Sequence, residues 1–134
     1  MVAGIVPLTS AKDQVLLIQS TRRGGWVLPK GGWETDEDTV EEAAKREAWE
    51  EAGVIVSITK DLGYIYDHRQ PSEITAHAPK AKYQFFEAIV DEEKAEWPEK
   101  SKRGRKWMTY VEAKESLKNR PELTEALERS TLKK

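Results

Sequence analysis

Arg46, Glu47, Glu50, Glu51 and Gly53 stand at fixed offsets near the end of the stretch 32–54, GWETDEDTVEEAAKREAWEEAGV. In a helix each residue turns about 100°, so positions three and four apart share a face. Glu47, Glu50 and Glu51 then fall within roughly a 100° arc of one helix wall. Carboxylates crowded in this way repel one another unless a positive charge sits among them. A hard divalent cation such as Mg²⁺, which takes oxygen ligands at about 2.1 Å, suits such a wall. A merely solvated acidic helix would carry the same charges, and most charge runs are only that.

The helix that must hold these residues has recognisable ends. Thr39 is the expected N-cap, with Glu42 three residues on as its capping-box partner. Gly53 is the residue type that tolerates a left-handed C-cap. Ala43, Ala44, Ala48 and Ala52 keep one side small, so the backbone can lie close to a sheet. Trp49, opposite the glutamates, is expected in the core. Before the helix, Val/Ile/Leu-rich runs at 3–8 and 14–19 flank a polar turn at 11–13 and predict a hairpin. Residues 20–25 read as a basic, glycine-ended loop and 26–29 as a short strand stopped by Pro29. Lys30-Gly31-Gly32 is then a backbone free to approach a ligand closely. After the helix, strands are expected at 54–59 and 62–67, with a bulge at Gly63, and a proline-bearing loop at 70–80. A strand at 83–90, a charged loop at 91–103 and a short strand at 106–110 follow. Helices at 111–118 and 122–129, split at 119–121, close the chain. One helix between strands and another at the end predict an α/β fold, a mixed sheet packed between helices.

The order Gly32, five residues, Asp38, seven residues, Arg46-Glu47-Ala48-Trp49-Glu50-Glu51-Ala52-Gly53-Val54 resembles the Nudix box. Several constrained positions and both terminal glycines fall in register, which a solvated acidic helix would not require. The resemblance implies an α/β/α sandwich and Mg²⁺- or Mn²⁺-dependent cleavage of nucleoside diphosphates linked to another moiety, and of related pyrophosphates. It implies that Glu47 and Glu51 bind the metal and that Glu50 is either a further ligand or the general base. Arg46 would brace the glutamates by charge-assisted hydrogen bonds. The run Trp26-Val27-Leu28-Pro29-Lys30-Gly31-Gly32 resembles the family's W-x-x-P-x-G-G, where a glycine carbonyl, of Gly31 or Gly32 here, often joins the metal. In such a site the cation neutralises phosphoryl oxygens and acidifies a water. A carboxylate within hydrogen-bond reach removes the proton. Two positions depart from the family's pattern. Its first glutamate is Asp38 here, and its bulky aliphatic after Arg-Glu is Ala48. In the family that glutamate supports the arginine, a role left here to Asp38 or to its neighbour Glu37.

Charge is segregated along the chain. Residues 34–51 hold nine acids against two bases, while Lys100, Lys102, Arg103, Arg105 and Lys106 put five bases into seven residues. An acidic, metal-collecting patch beside a basic, anion-collecting one suits a highly anionic ligand handled with metals. A basic heptamer alone could be an import signal, a nucleic-acid patch or, most often, a solvated loop. Trp97-Pro98 and Trp107 would anchor its two ends. The Trp-Pro loop, the basic stretch and Arg-x-Trp resemble the diphosphoinositol polyphosphate phosphohydrolases of the Nudix family, which also cleave diadenosine penta- and hexaphosphates. Arg22, Arg23 and Trp-x-x-Pro-Lys-Gly-Gly look like the fungal members, and this likeness spans about 2–117. It implies that Arg22, Arg23, Lys30, Lys102, Arg103 and Arg105 hold phosphates, with Arg69 at a strand end as a further contact. Arginine forks suit many phosphates better than a base-stacking pocket would. Two alternatives compete. A MutT-like nucleotide hydrolase or a diadenosine tetraphosphate hydrolase would want aromatics and amides to grip a base. A non-catalytic polyphosphate-binding module would have no need of the glutamate wall.

At 134 residues, a single domain over 1–134 is expected. No apolar run approaches the roughly 18 residues of a membrane span, and no signal-peptide pattern opens the chain. Zero cysteines exclude disulfides and thiolate chemistry. The expectation is a cytoplasmic, or also nuclear, monomer with no membrane and no stable nucleic-acid partner. His68 and His77 have no ligand-like spacing and read as loop or surface residues.

Overall fold

The computed structural model describes residues 1–22, 24–33, 37–66, 72 and 82–134. Arg23, Arg69, both histidines and most of the loop 70–80 lie outside them. Strand β1 (Val2–Leu8) is buried without alternation from its second residue onward, the pattern of a strand covered on both faces. It pairs in parallel with β6 (Lys82–Glu93), from Val2↔Tyr83 to Leu8↔Ile89. Strand β6 in turn pairs antiparallel with β5 (Val54–Tyr66). On its other side β1 turns back into β2 (Val15–Gln19) at Leu8↔Val15, the hairpin expected from the sequence. The two strands then part. The start of β1 pairs with β4 (Lys30–Gly32), while β2 takes β3 (Trp26–Val27) and β7 (Arg105–Met108). The sheet order is β3-β2-β1-β6-β5, with β4 on β1 and β7 on β2. With helices α1 (Val40–Ala52), α2 (Tyr110–Ser116) and α3 (Pro121–Arg129), this is the mixed-sheet α/β fold that the alternation of elements predicts.

Helix α1 begins and ends as its sequence dictates. The Thr39 side chain accepts the Glu42 N–H, and Gly53, at φ 69°, donates its own N–H to the Trp49 carbonyl. Ala43, Ala44, Ala48 and Ala52 are fully buried and lie against the sheet. A larger side chain at any of them would overpack the interface, at a cost of about 1–3 kcal/mol.

Four boundaries differ from the sequence reading. The strands expected at 54–59 and 62–67 are one strand, Val54–Tyr66, kept continuous by register shifts at Ile55/Val56, Ile58/Lys60 and Asp61/Tyr64. Gly63, at φ 84°, sits in the last of these, where a bulge was expected. Lys30–Gly32 is a strand rather than a free loop, because β1 offers it an edge. Strand β6 runs on to Glu93, since β5 supplies partners that far. Thr109 and Glu112 form a reciprocal capping box, so α2 starts at Tyr110, where the sequence reading continued a strand.

Midway along β6, Glu87 is 1% exposed yet fully partnered. Thr131 donates to it from its backbone N–H (2.6 Å) and from its hydroxyl (2.8 Å), and Lys12 approaches to 3.3 Å. These contacts tie the last residues of the chain to the sheet.

Candidate active site

Arg46 organises the acidic wall of α1. Its guanidinium donates to both oxygens of Glu37, at 2.9 Å from Nε and 3.1 Å from Nη2. Nη2 also donates to the Gly32 carbonyl at 3.0 Å. Nη1 reaches Glu50 at 3.0 Å and Glu47 at 3.3 Å. The Glu37 hydrogen bond leads the causes that push the Arg46 pKa up, with the charges of Glu47 and Glu50 adding to it. Asp38 is exposed and takes no side-chain partner among the described residues. Support of the arginine therefore falls to Glu37, the neighbour of the position the motif would name. The chain enters the helix through an extended Thr39, which leaves Glu37 rather than Asp38 beside the guanidinium.

Three carboxylates face the same side of the helix in different settings. Glu47 is 7% exposed and packs so tightly under β4 that a Cβ on Gly31 would stand 1.7 Å from its Oε2. Gly31 is needed there for close approach, not for an unusual φ. Glu51 accepts the Lys30 N–H at 3.1 Å and lies 3.8 Å from Arg103 Nη1. Burial pushes its carboxyl up to about 7, against the pull of the Lys30 amide. Glu50 has the most exposed side chain of the three, at 34%, and is held by Arg46.

Among the described residues no three His, Cys, Asp or Glu side chains converge into a ready cage for a metal. Arg46 draws Glu47 and Glu50 together, while Glu51 turns to Lys30 and Arg103. The donors nevertheless fit a hard divalent cation. They are all oxygen, they share one wall, and the charge of Glu51 is opposed by burial that a cation would relieve.

Beside the wall opens a pocket of about 460 Å³. Glu51, Gly31 and Gly32 form one side of it, and Arg22, Lys30, Arg103 and Arg120 bring four cationic side chains to the rest. Ser20 and Thr21 add hydroxyls, and Tyr83 is its one aromatic lining residue among those described. The Arg103 side chain is 9% exposed and pairs with Glu99 at 3.1 Å. Among the described residues its Nε, like that of Arg120, is buried with no hydrogen-bond partner, and a buried donor left unpaired costs about 1–3 kcal/mol.

Arg120 was missed in the sequence. Pro121 at the first turn of α3 makes Arg120 the N-cap, a position that prefers Ser, Thr, Asp or Asn. An arginine there that caps nothing was the available signal. Lys102, by contrast, is exposed and does not line the pocket. Arg105 does not line it either. Its Nη1 donates to the Ala52 carbonyl at 2.8 Å, its Nη2 to the Lys94 carbonyl at 2.6 Å, and its Nε pairs with Glu93 at 3.1 Å. Every nitrogen of the guanidinium is thereby engaged within the protein, whereas the sequence reading expected Arg105 to hold phosphate. Arg23 and Arg69 lie outside the described residues.

Residues 1–129 match the family model described as the NUDIX domain. The chain is 42% identical to Nudix hydrolase 16, mitochondrial, of Arabidopsis thaliana over 141 residues, covering 95% of this chain and 77% of that protein. It spans about half to two thirds of other Arabidopsis relatives, covering 65% of Nudix hydrolase 13, mitochondrial, and 48% of Nudix hydrolase 4. Among solved structures, a NUDIX hydrolase from Nitrosomonas europaea superposes with a TM-score of 0.77 at 18% identity, covering 96% of this chain and 85% of that one. An Ap4A hydrolase from C. elegans gives 0.69 at 21%, covering 96% and 92%. At such identities the two structures speak for the fold alone.

Proposed function

The chain belongs to the Nudix family of phosphoanhydride hydrolases, and from that premise we propose that it is a Mg²⁺-dependent pyrophosphohydrolase of highly anionic substrates. The proposed substrates are diphosphoinositol polyphosphates, and also diadenosine penta- and hexaphosphates. One observation carries the reading: among the described residues, Arg22, Lys30, Arg103 and Arg120 bring four cationic side chains to a single pocket beside Glu51. A ligand with several phosphates supplies acceptors for these cations, and each charge-assisted contact contributes about 1.5–3 kcal/mol when shielded.

Within this reading Glu47, Glu51 and a carbonyl of Gly31 or Gly32 would hold the cation, with Mn²⁺ as a substitute. The bound ion would supply charge neutralisation at the phosphoryl group and a more acidic water. In this reading Glu50, the most solvent-facing of the three glutamates, accepts the proton of the attacking water, a role its exposure supports. Arg46, bridging Glu50 and Glu47, offsets the repulsion between their charges. Arg22, Lys30, Arg103 and Arg120 hold the phosphates that do not react, and Ser20 and Thr21 offer hydroxyl contacts. Tyr83 is the only ring among the described residues that line the pocket, which favours phosphate recognition over the gripping of a base. The proposed setting is the cytoplasm, although the names of several relatives place them in mitochondria; imaging a fluorescent fusion would decide.

The test is a panel: an inositol pyrophosphate, diadenosine hexaphosphate, diadenosine tetraphosphate and an oxidised guanine nucleotide, each with and without Mg²⁺. The expected ranking puts the first two highest, with rates that fall as salt screens exposed charges over about 8–10 Å. Arg103→Gln together with Arg120→Gln should raise KM most for the inositol pyrophosphate. Highest turnover on the oxidised guanine nucleotide, with little salt dependence, would overturn the substrate assignment and leave the family standing.

A further inference from the structure

An α-helix normally leaves its last carbonyls to water or to a local turn. At the end of α1 a distant segment takes them instead. The Glu50 carbonyl accepts the Glu99 N–H at 3.0 Å, and the Gly53 carbonyl accepts the Lys94 N–H at 2.8 Å. The Trp97 indole N–H donates to the Glu51 carbonyl at 3.2 Å, and Arg105 donates to that of Ala52 at 2.8 Å. The bonds to Glu50 and Glu51 thus hold the backbones of the residues whose side chains form the acidic wall. Trp97 and Arg105 also support each other, with the guanidinium 4.0 Å from the ring centroid. The ring closes on Gly53 so tightly that a Cβ there would lie 2.6 Å from it. Gly53 therefore answers to two demands, its left-handed φ of 69° and the indole against its Cα.

We infer that the connection between β6 and β7 is a tertiary cap that fixes Glu50 and Glu51, and that Trp97 and Arg105 are positioning residues for the metal-binding wall. A positive charge at a helix C-terminus is itself favourable, because it complements the helix dipole. Here the arrangement does more than stabilise, since the same segment carries Arg103. That side chain reaches Glu51 at 3.8 Å and lines the phosphate pocket. The wall and the pocket are consequently held in one frame by a segment that touches neither phosphate nor metal through Trp97 or Arg105. The inference rests on the reading of Glu50 and Glu51 as metal-side groups.

The test measures Mn²⁺ affinity by electron paramagnetic resonance, alongside kcat and KM on diadenosine hexaphosphate. Trp97→Phe keeps the ring and deletes the N–H, Arg105→Gln deletes the charge, and Arg105→Lys retains it. Thr131→Ala, which loses the hydroxyl hydrogen bond to Glu87 and does not line the pocket, is the control for stability alone. Trp97→Phe and Arg105→Gln should each weaken Mn²⁺ binding about tenfold and lower kcat, as loss of a group supporting metal ligands does, with KM within about twofold. Arg105→Lys should recover part of the loss, and Thr131→Ala should lower only the melting temperature. Cap variants that melt early yet bind Mn²⁺ like the wild type overturn the inference. So does a rise in KM with Mn²⁺ affinity unchanged, which would make Arg105 a substrate contact after all. If the wild type binds no Mn²⁺, the metal reading fails and takes the inference with it; binding by wild type and variants alike removes the inference only.

Discussion

Replacing Glu37 by glutamine separates the motif position from the residue that the geometry selects. Glu37 accepts two charge-assisted hydrogen bonds from Arg46, at 2.9 and 3.1 Å, with side-chain exposures of 11% for Glu37 and 23% for Arg46. Both groups are mostly sheltered, so solvent screening takes away little of the interaction. Glutamine keeps one acceptor oxygen, turns the other into a donor facing the guanidinium, and removes the charge. The loss is close to one charge-assisted bond, about 1.5–3 kcal/mol. Arg46 then has less to hold it against the Gly32 carbonyl and more reason to move onto Glu50 and Glu47. If the whole loss reaches the transition state, kcat/KM falls by about ten- to a hundredfold, because each 1.36 kcal/mol is a factor of ten. Asp38→Ala removes an exposed carboxylate with no described partner and should change kcat/KM by less than about twofold, surface substitutions being worth within 0.5 kcal/mol. The assay is steady-state hydrolysis of diadenosine hexaphosphate across a Mg²⁺ titration, with the folded fraction followed by circular dichroism. A silent Glu37→Gln beside a damaging Asp38→Ala would refute the reasoning and return the support of Arg46 to the motif position.

Glu51→Gln should abolish most turnover, by about 10²-fold or more, as expected when a charged group of the metal site or the general base is lost. Without metal it should stabilise the protein. Burial raises the Glu51 carboxyl from 4.5 to about 7, so the folded state binds the extra proton and the metal-free wild type loses stability as pH rises through that window. Melting curves of both proteins in chelator between pH 5 and 8 check this, and parallel curves would contradict it. Gly31→Ala puts a Cβ 1.7 Å from a Glu47 oxygen; displacement of that carboxylate should weaken Mn²⁺ binding about tenfold, as read by calorimetry. Glu87→Gln addresses the opposite sign. Burial disfavours the Glu87 charge, but Thr131 and Lys12 outweigh it and hold the carboxyl below its ordinary 4.5. Its stabilisation is present above 4.5 and lost as pH falls through the folded value. The variant should therefore lose about 1–3 kcal/mol at pH 7 in urea unfolding and show a flatter acid limb.

What the sequence made legible was what depends on local physics. The ends of α1 were readable because Thr39 and Gly53 are each suited to one backbone conformation, and its packed face because four alanines leave only one reason for being there. The hairpin of β1 and β2 was readable from two apolar runs and a polar turn. Strand β4 was not, since Lys30-Gly31-Gly32 has no strand propensity and pairs only because the start of β1 parts from β2 and exposes an edge. The break placed inside β5 fails for a related reason. Bulges let a strand change register without ending, and nothing local distinguishes a bulge from a turn until the partner strand is known.

The basic run 100–106 shows where charge composition stops being informative. Five like charges in seven residues suggest one function, but a strand and a loop tip aim neighbouring residues in different directions. Arg103 stands before β7 and turns inward to the pocket, where its side chain is 9% exposed. Arg105 is the first residue of β7, two positions on, and points to the end of α1. Lys102 remains in solvent, exposed at the loop. The fourth cation of the pocket comes instead from Arg120, seventeen residues after Arg103 and outside the run. A cationic pocket assembled in this way selects for where a guanidinium ends, not for how many stand together in the chain. Its residues can be drawn from a strand end, a helix cap and a loop with no shared pattern. The acidic wall differs because a single helix fixes all of its members at once, which is why spacing alone could identify Glu47, Glu50 and Glu51 as neighbours but could not rank the arginines that face them.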